Sequence, residues 1–228
     1  DPVSSRVIRF RLAAHGVLEA PRVKLALTLQ NKGDQLITPV GQMMPLFRRA
    51  RLFASSQLIE DRIELATESS ITERLKDGLR RINDSIEQHP VASYNSDIYA
   101  TLGPNKSRRL IAPTCFGCLN QPKFIPLHLV SGGLVLEFEL DDADTAFNES
   151  GVSFEITDVK LFANLHTIDS ALANSYASHV LKGNPLHLHF TSVVASRHLV
   201  NGSNFSLSLV RGFTRLRQCF IAFAKNGQ

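Results

Sequence analysis

The 228-residue sequence contains no tryptophan, and aromatic residues make up only 7% of it. This scarcity argues against a surface that stacks sugars or unpaired bases, because such surfaces depend on aromatic faces. Its three cysteines are too few, and odd in number, for a disulfide framework, which favours a reducing compartment. No run approaches the roughly 20 apolar residues of a membrane-spanning helix, and Asp1–Ser4 lack the basic-then-apolar plan of a signal peptide. We therefore expect neither a membrane span nor a secretory leader.

Neither sign of charge dominates, since the sequence has 25 lysines and arginines and 21 acidic residues, which gives a net charge of +4. Basic residues cluster at Arg48–Arg51, at Lys106–Arg109, and at Arg211 with Arg215 and Arg217. Binding of nucleic acid would require these clusters to converge beside stacking aromatic residues. The composition instead favours solvated or interface arginines, with at most non-specific contact with nucleic acid.

Alternation of apolar and polar residues is the main positive signal, and it is typical of strands with one buried face. It predicts strands at Ile8–Leu12, Val23–Gln30, Leu134–Leu140, Val152–Phe162, Leu186–Thr191 and Phe205–Leu209. Within the fourth segment the apolar residues change parity, which predicts a β-bulge near Thr157–Asp158. Glycine-containing turns separate several of these strands, and residues 88–106 indicate a long loop. The pattern predicts an all-β, antiparallel sandwich or barrel.

Two short helices are predicted within this β-rich pattern. Ser70 and Glu73 have the spacing of a capping box, which predicts a surface helix lying on the sheet. Its apolar stripe consists of Ile71, Leu75, Leu79, Ile82 and Ile86. A second helix is predicted from an N-cap at Asp169 to Lys182, with Gly183 at the left-handed position that ends it.

A Cys-x-x-Cys motif at Cys115–Cys118 has the spacing of half a zinc site or of a redox pair. Cys219 is isolated, however, so a second ligand pair is missing. A redox motif would also need a βαβ context that the strand pattern does not provide. We interpret both cysteines as small buried residues at a turn between a strand and a loop.

His187 and His189 would lie on the same face of a strand, an arrangement that can bind a metal ion. A cupin enzyme would add a glutamate four or five residues later, where this sequence has Val193 and Val194. The missing carboxylate favours an interpretation as solvent-facing or interface histidines.

Signals of catalysis are otherwise lacking, since there is neither a Gly-x-Ser-x-Gly elbow nor a phosphate-binding P-loop. The acidic run from Glu137 to Asp144 does not have EF-hand spacing, and Glu137 and Glu139 fit the polar face of a strand. The residues therefore predict no enzyme activity, no catalytic residues, no cofactor and no metal site.

The segment Pro113–Leu127 resembles a Gly-x-Leu-Asn-Gln-x-Lys-x-Ile/Leu-Pro-Leu motif in the major capsid proteins of polinton-like viruses, polintons and virophages. Four other segments are similar to stretches of that family in the same order: Pro39–Arg48, Phe154–Val159, Ile168–Leu186 and Leu209–Leu216. The likeness extends from about Val7 to Phe223.

This resemblance implies a double jelly roll, with a first jelly-roll domain at residues 1–194 and opening strands of a second at 195–228. Because such proteins carry two jelly rolls, the chain is expected to be a fragment. The implied function is a structural protein that assembles as homotrimeric, pseudo-hexagonal capsomers of an icosahedral shell. The expected partners are further copies, penton proteins and minor capsid proteins. The implied location is the virion, after synthesis inside the host cell.

Two other functions remain open, because a fold does not determine function. A carbohydrate-binding, lectin-like sandwich is disfavoured by the absence of tryptophan and the presence of only three tyrosines. A metal-dependent jelly-roll enzyme is disfavoured by the missing carboxylate after His189.

Overall fold

The computed structural model describes residues 6–13, 16–87, 101–200, 204–208 and 212–223. Within these ranges the strands are β1 (Val7–Leu12), β2 (Val17–Glu19), β3 (Lys24–Asn31), β4 (Phe47–Ala54), β5 (Gln57–Ile63), β6 (Ser107–Pro113), β7 (Phe124–Pro126), β8 (Leu134–Leu140), β9 (Phe154–Phe162) and β10 (Leu165–His166). The helices are α1 (Leu65–Leu75), α2 (Gly78–Glu87), α3 (Ala143–Ala146) and α4 (Ser170–Leu181). None of the helices in this part of the chain has the length and apolar character needed to cross a membrane.

The strands form three antiparallel sheets, which is consistent with the predicted all-β sandwich. One sheet has the order β1-β8-β4-β5, the second β6-β3-β9 and the third β10-β2-β7. In the four-stranded sheet Phe138 on β8 lies opposite Ile8 on one side and Ala50 on the other. The longest strands thus form two sheets, and the third sheet consists of short strands.

A single apolar core draws side chains from all three sheets, including Leu18, Leu25 and Phe138. The Phe138 ring lies between Phe47 and Phe116, with centroid distances of 5.3 Å and 5.7 Å. All three rings are fully buried. Complete burial of such a side chain stabilises the fold by about 1.5–3 kcal/mol, so this aromatic cluster is a major contribution to stability.

The predicted β-bulge is confirmed in β9. Ala26 on β3 pairs with Lys160, and Thr28 pairs with Thr157, so Asp158 and Val159 both lie opposite one residue of β3. Asp158 adopts a left-handed backbone conformation with φ of 48°. The extra residue restores one buried face to a strand whose apolar residues change parity.

Four predicted strands correspond to β1, β3, β8 and β9, but the predicted strand at Leu186–Thr191 is wrong. Residues 184–200 have no regular secondary structure. Leu188 and Phe190 nevertheless pack against the core, while His187 and His189 are exposed. Alternation here reflects which side chains of the segment pack against the core, although the segment pairs with no strand.

The predicted strand at Phe205–Leu209 falls partly outside the described residues, and its described part, 204–208, belongs to no strand. Residues 212–223 also have no regular secondary structure. The division into a first domain at 1–194 and the start of a second at 195–228 stays a prediction. Most of the predicted loop at 88–106 likewise lies outside the described residues.

The β4–β5 hairpin was not predicted from the sequence. Its turn residues, Ser55 and Ser56, both have positive φ, at 49° and 67°. Two-residue hairpins with this geometry usually carry asparagine or glycine, so two serines give little signal. A further register shift between Leu52 and Phe53 interrupts the alternation.

The capping box at Ser70 is wrong, because α1 already begins at Leu65 and Ser70 lies inside it. Glu73 is buried and accepts hydrogen bonds from Gln42 Nε2 at 3.2 Å and Lys76 Nζ at 2.8 Å. Lys76 also reaches Asp84 of α2 at 2.8 Å, which ties the two helices together. The predicted single helix is therefore two helices.

The apolar stripe of that predicted helix is largely uncovered among its described side chains, of which only Ile71 is partly buried, although α1 contacts β4 and α2 contacts β6. Leu75, Leu79 and Ile82 are largely exposed. The side chain of Ile86 lies outside the described part of the structure. Helical periodicity identified the helices correctly, but it did not show whether another element covers the apolar face.

The second helix is confirmed as α4, with both predicted ends. Asp169 Oδ1 accepts a hydrogen bond of 2.9 Å from the Leu172 amide, as an N-cap does. Gly183 has φ of 80°, the left-handed conformation that ends many helices. None of the α4 residues is buried, so the helix lies on the surface.

Candidate functional site

A buried carboxylate, Glu60, is the centre of a cluster of polar groups from distant parts of the chain. It lies on β5, and its side chain is fully buried. Glu60 Oε1 accepts a hydrogen bond from the Cys118 amide at 2.7 Å. Its Oε2 accepts from the Gly117 amide at 3.0 Å and from Ser192 Oγ at 2.8 Å. Glu60 thus holds two segments that are distant from it in sequence.

Arg62, two residues along β5, extends this cluster. Its Nη1 donates a hydrogen bond of 2.7 Å to the Cys115 carbonyl and lies 3.7 Å from Glu60 Oε2. The guanidinium also binds the Glu68 carboxylate of α1 through two nitrogens. Burial raises the pKa of Glu68, and the charge of Arg62 opposes this effect. The cluster therefore joins β5, α1 and the turn after β6.

The Cys115–Cys118 motif lies in this turn, where the sequence predicted a turn between a strand and a loop. Cys118 is buried and Cys115 is partly buried, and both are free thiols. Burial raises the pKa of each thiol to about 12, with the negative charge of Glu60 as a further cause. Because the thiolate is the nucleophile in thiol–disulfide exchange, the raised pKa values lower the reactivity of both thiols at neutral pH.

The first basic cluster, Arg48–Arg51, faces carboxylates of its own four-stranded sheet. Arg51 Nη2 lies 2.9 Å from Glu137 Oε2. The Glu137 carboxylate also forms an ion pair with Arg9 on β1. The register places both arginines directly opposite Glu137. These contacts put Glu137 on the polar face of β8, as predicted.

The other two arginines of this cluster are also paired. Arg49 binds Asp61 through two hydrogen bonds of 2.8 Å. Arg48 pairs with Glu139, and this hydrogen bond lowers the pKa of the carboxyl. The positive charge at Arg48–Arg51 is thus largely offset within the sheet, which supports the interpretation as solvated or interface arginines over phosphate binding.

The other two basic clusters lie elsewhere. Arg109 of β6 pairs with Asp158 at the bulge of β9, and burial lowers the pKa of Arg108. Arg215 and Arg217 are exposed outside any regular secondary structure, and Arg211 lies outside the described residues. The cluster at Arg48–Arg51 lies on β4 and the cluster at Lys106–Arg109 lies at the start of β6, and these strands belong to different sheets. The two clusters therefore do not lie on adjacent, paired strands.

His187 and His189 are brought together on the surface. Their rings are nearly parallel, with an interplanar angle of 14° and a centroid distance of 5.9 Å. Lys123 Nζ donates a hydrogen bond of 2.9 Å to the His189 carbonyl. In the part of the chain that the structure describes, no group of three histidine, cysteine or acidic side chains is placed to hold a metal ion.

A surface hollow of about 230 Å³ lies beside α4. Its lining consists of Leu172, Ser175, Tyr176, His179 and Leu186. Tyr176 is the one aromatic phenol in this lining. A single ring offers little surface for stacking a sugar.

Sequence reasoning identified the cysteine and histidine motifs but missed Glu60 and Arg62. Their strand, β5, lacks clear alternation, so the pattern of apolar residues does not show that these two charges are buried. The signal that was present is the spacing Glu60-x-Arg62, which places both side chains on one face of a strand.

No protein-family model matches this sequence, and the search of curated proteins also finds no match.

Proposed function

We propose that this chain is a structural subunit of a viral capsid, built as a jelly-roll β-sandwich whose function is self-association. The ordered series of capsid-like motifs described above supports this proposal. Antiparallel sheets packed around one core are compatible with such a subunit. Its partners would be further copies in trimeric capsomers, together with penton and minor capsid proteins, and its location would be the virion.

The observation that carries the proposal is the concentration of exposed apolar side chains after α4. Among the described residues of this segment, eleven large apolar ones are each 40–82% exposed: Leu186, Val193, Val194, Leu199, Phe205, Leu207, Phe213, Leu216, Phe220, Ile221 and Phe223. Phe205 and Phe223 also contact each other, with ring centroids 6.0 Å apart. Soluble monomers rarely leave so many large apolar groups exposed, whereas protein interfaces cover them.

An exposed sheet edge offers a second surface for self-association. In the four-stranded sheet β5 is an edge strand, and Leu58, Ile59 and Ile63 on it are exposed. Edges of this kind pair readily with strands of another chain, and proteins usually protect them with charge or cover. Contact with a second copy would provide that cover.

The strand order supports the jelly-roll part of the proposal. β1 pairs with β8 across more than a hundred residues of sequence, and β8 also pairs with β4. A long connection that brings an early strand beside a late one is a feature of Greek-key and jelly-roll sandwiches.

The internal polar groups favour a structural role over a catalytic one. Glu60 accepts a hydrogen bond from the Cys118 amide, and Arg62 donates one to the Cys115 carbonyl. The Cys115 and Cys118 thiols have raised pKa values. These groups stabilise the fold and are not arranged as a nucleophile beside a base.

Native mass spectrometry and sedimentation velocity over a range of concentrations test the proposal directly. For a chain that carries both jelly rolls, the expected result is a trimer or a larger assembly of trimers, seen as pseudo-hexagonal particles by negative-stain microscopy. A protein that stays monomeric at the concentrations of capsid assembly would contradict it. Saturable binding on a glycan array would instead favour the carbohydrate-binding alternative.

A matched pair of variants locates the interface. The double variant Ile221→Ser and Phe223→Ser removes apolar surface from the segment after α4 and should weaken association. Leu181→Ser removes a similarly exposed leucine from α4 and should leave association unchanged. Equal effects of the two changes would show that this segment is not the interface.

A further inference from the structure

We propose that His187 and His189 form a two-imidazole binding site for a divalent transition-metal ion such as Cu²⁺, Ni²⁺ or Zn²⁺. Neutral imidazole is a common ligand for these ions. The two rings lie side by side on the surface, with centroids 5.9 Å apart and planes within 14° of parallel. Both side chains are exposed, so an ion can reach them from solvent.

The backbone that carries the pair is held in place although it belongs to no sheet. Leu188 and Phe190 alternate with the histidines and pack against the core. Burial alternates along the segment, with Leu188 and Phe190 partly buried and His187 and His189 exposed, so this packing keeps both imidazoles facing outward. The apolar residues therefore fix the orientation of the histidine pair.

Polar contacts hold the same segment at the second histidine and just after it. Lys123 Nζ donates to the His189 carbonyl at 2.9 Å. Three residues further on, Ser192 Oγ donates to the buried Glu60 carboxylate at 2.8 Å. A binding site whose ligands are held before the ion arrives loses less conformational entropy on binding.

The donor set favours a particular kind of binding. Two imidazoles supply only part of a coordination sphere, and the described residues bring no third histidine, cysteine or acidic ligand to them. Water, or a donor from another molecule, would complete the sphere. Nitrogen donors bind Cu²⁺ more tightly than Ni²⁺ or Zn²⁺, so copper should bind best.

The test is a Cu²⁺ titration of the full chain near neutral pH. Calorimetry measures the affinity and stoichiometry, and electron paramagnetic resonance identifies the ligands. We expect one tightly bound Cu²⁺ per chain with a two-nitrogen spectral signature. His187→Ala and His189→Ala should each weaken binding by about 10²-fold, because each removes the second point of attachment. His179→Ala, which changes an exposed histidine on α4, should have no effect.

Two results would overturn the proposal. If only one of the two alanine variants weakens binding, the ion is bound by a single histidine. If the His187→Ala and His189→Ala double variant binds Cu²⁺ as tightly as the unchanged protein, the ion is bound elsewhere. Circular dichroism of each variant verifies that the fold is retained. The site is independent of the proposed capsid function, so a monomeric protein that binds Cu²⁺ at this pair would still support it.

Discussion

Glu60 and Ser192 lie 132 residues apart in sequence and are joined by a 2.8 Å hydrogen bond from Ser192 Oγ to Glu60 Oε2. The same carboxylate accepts hydrogen bonds from the amides of Gly117 and Cys118. One side chain thus connects β5, the turn after β6 and the segment after α4. A buried carboxylate is stable only when such donors replace its lost water.

Replacing Glu60 with alanine should be strongly destabilising. The change leaves two backbone amides and the Ser192 hydroxyl without their acceptor, and it removes the negative charge 3.7 Å from the buried Arg62 guanidinium. Loss of one partner of a buried charge pair costs about 3–5 kcal/mol. Glu60→Gln should cost less, because the amide oxygen still accepts a hydrogen bond. Urea denaturation of each variant measures the free energy of unfolding.

Glu155→Gln is the matched control for this prediction. Glu155 forms an ion pair with Lys32 in which both side chains are about half exposed. Exposed pairs of this kind contribute up to about 1 kcal/mol. If Glu60→Ala costs no more than this control, Glu60 does not hold the cluster together.

Gly117→Ala should loosen the segment that carries the histidine pair. A Cβ at this position would lie 1.7 Å from the Thr191 carbonyl oxygen and 2.8 Å from its carbon, so backbone must move. We expect a loss of roughly 1–3 kcal/mol, as for other overpacked sites. Hydrogen exchange should also become faster at residues 188–192.

Gly212→Ala provides the comparison, because a Cβ there meets no atom within 4 Å. This variant should unfold at the same urea concentration as the unchanged protein. Equal destabilisation by the two changes would show that the close approach of Gly117 to Thr191 is unimportant.

The three cysteines should differ sharply in reactivity. Cys115 and Cys118 have pKa values raised to about 12 by burial, whereas Cys219 is exposed. A thiol with such a pKa has roughly 10³-fold less thiolate near neutral pH than an ordinary cysteine. Labelling with a thiol reagent should show one fast site in the native protein and three sites in denaturant.

Cys219→Ser should remove the fast phase of this labelling and leave the slow sites unchanged. Rapid labelling of Cys115 or Cys118 in the native protein, or a disulfide between them, would instead support a redox role for the motif.

Asp158→Asn should lower stability at neutral pH and have little effect in acid. Hydrogen bonds from Lys160 and Arg109 lower the pKa of the Asp158 carboxyl below 3.8. The charged form is therefore favoured in the folded state, and its stabilisation is present above pH 3.8 and lost as pH falls through the lowered value. Asparagine tolerates the left-handed φ of the bulge, so the change removes charge with little backbone strain.

Thermal unfolding of both proteins across the acidic and neutral range measures this difference. Added salt should reduce it, because the ion pairs are partly exposed and therefore screened. A difference that persists unchanged in acid would show that the side chain acts through backbone geometry and not through its charge.

The candidate sites were only partly predictable from sequence. The cysteine and histidine motifs are visible because their members are two or three residues apart. Glu60 and Arg62 are not, because their partners at Cys115, Cys118 and Ser192 are more than fifty residues away. Only chain folding shows that these charges are buried and paired.

The features of the fold that the sequence by itself determined depend on local interactions. These features are the sided alternation of β1, β3, β8 and β9, the bulge at Asp158, and both ends of α4. Each depends on side chains within a few residues of one another, so short-range patterns encode them.

Tertiary structure alone decided which strands pair, where the helix between Leu65 and Glu87 breaks, and whether an apolar face is covered. Alternation indicates which side of a segment is apolar, but it does not indicate which groups hydrogen-bond to the backbone. The segment at Leu186–Thr191 illustrates this difference, because Leu188 and Phe190 pack against the core while the backbone joins no ladder.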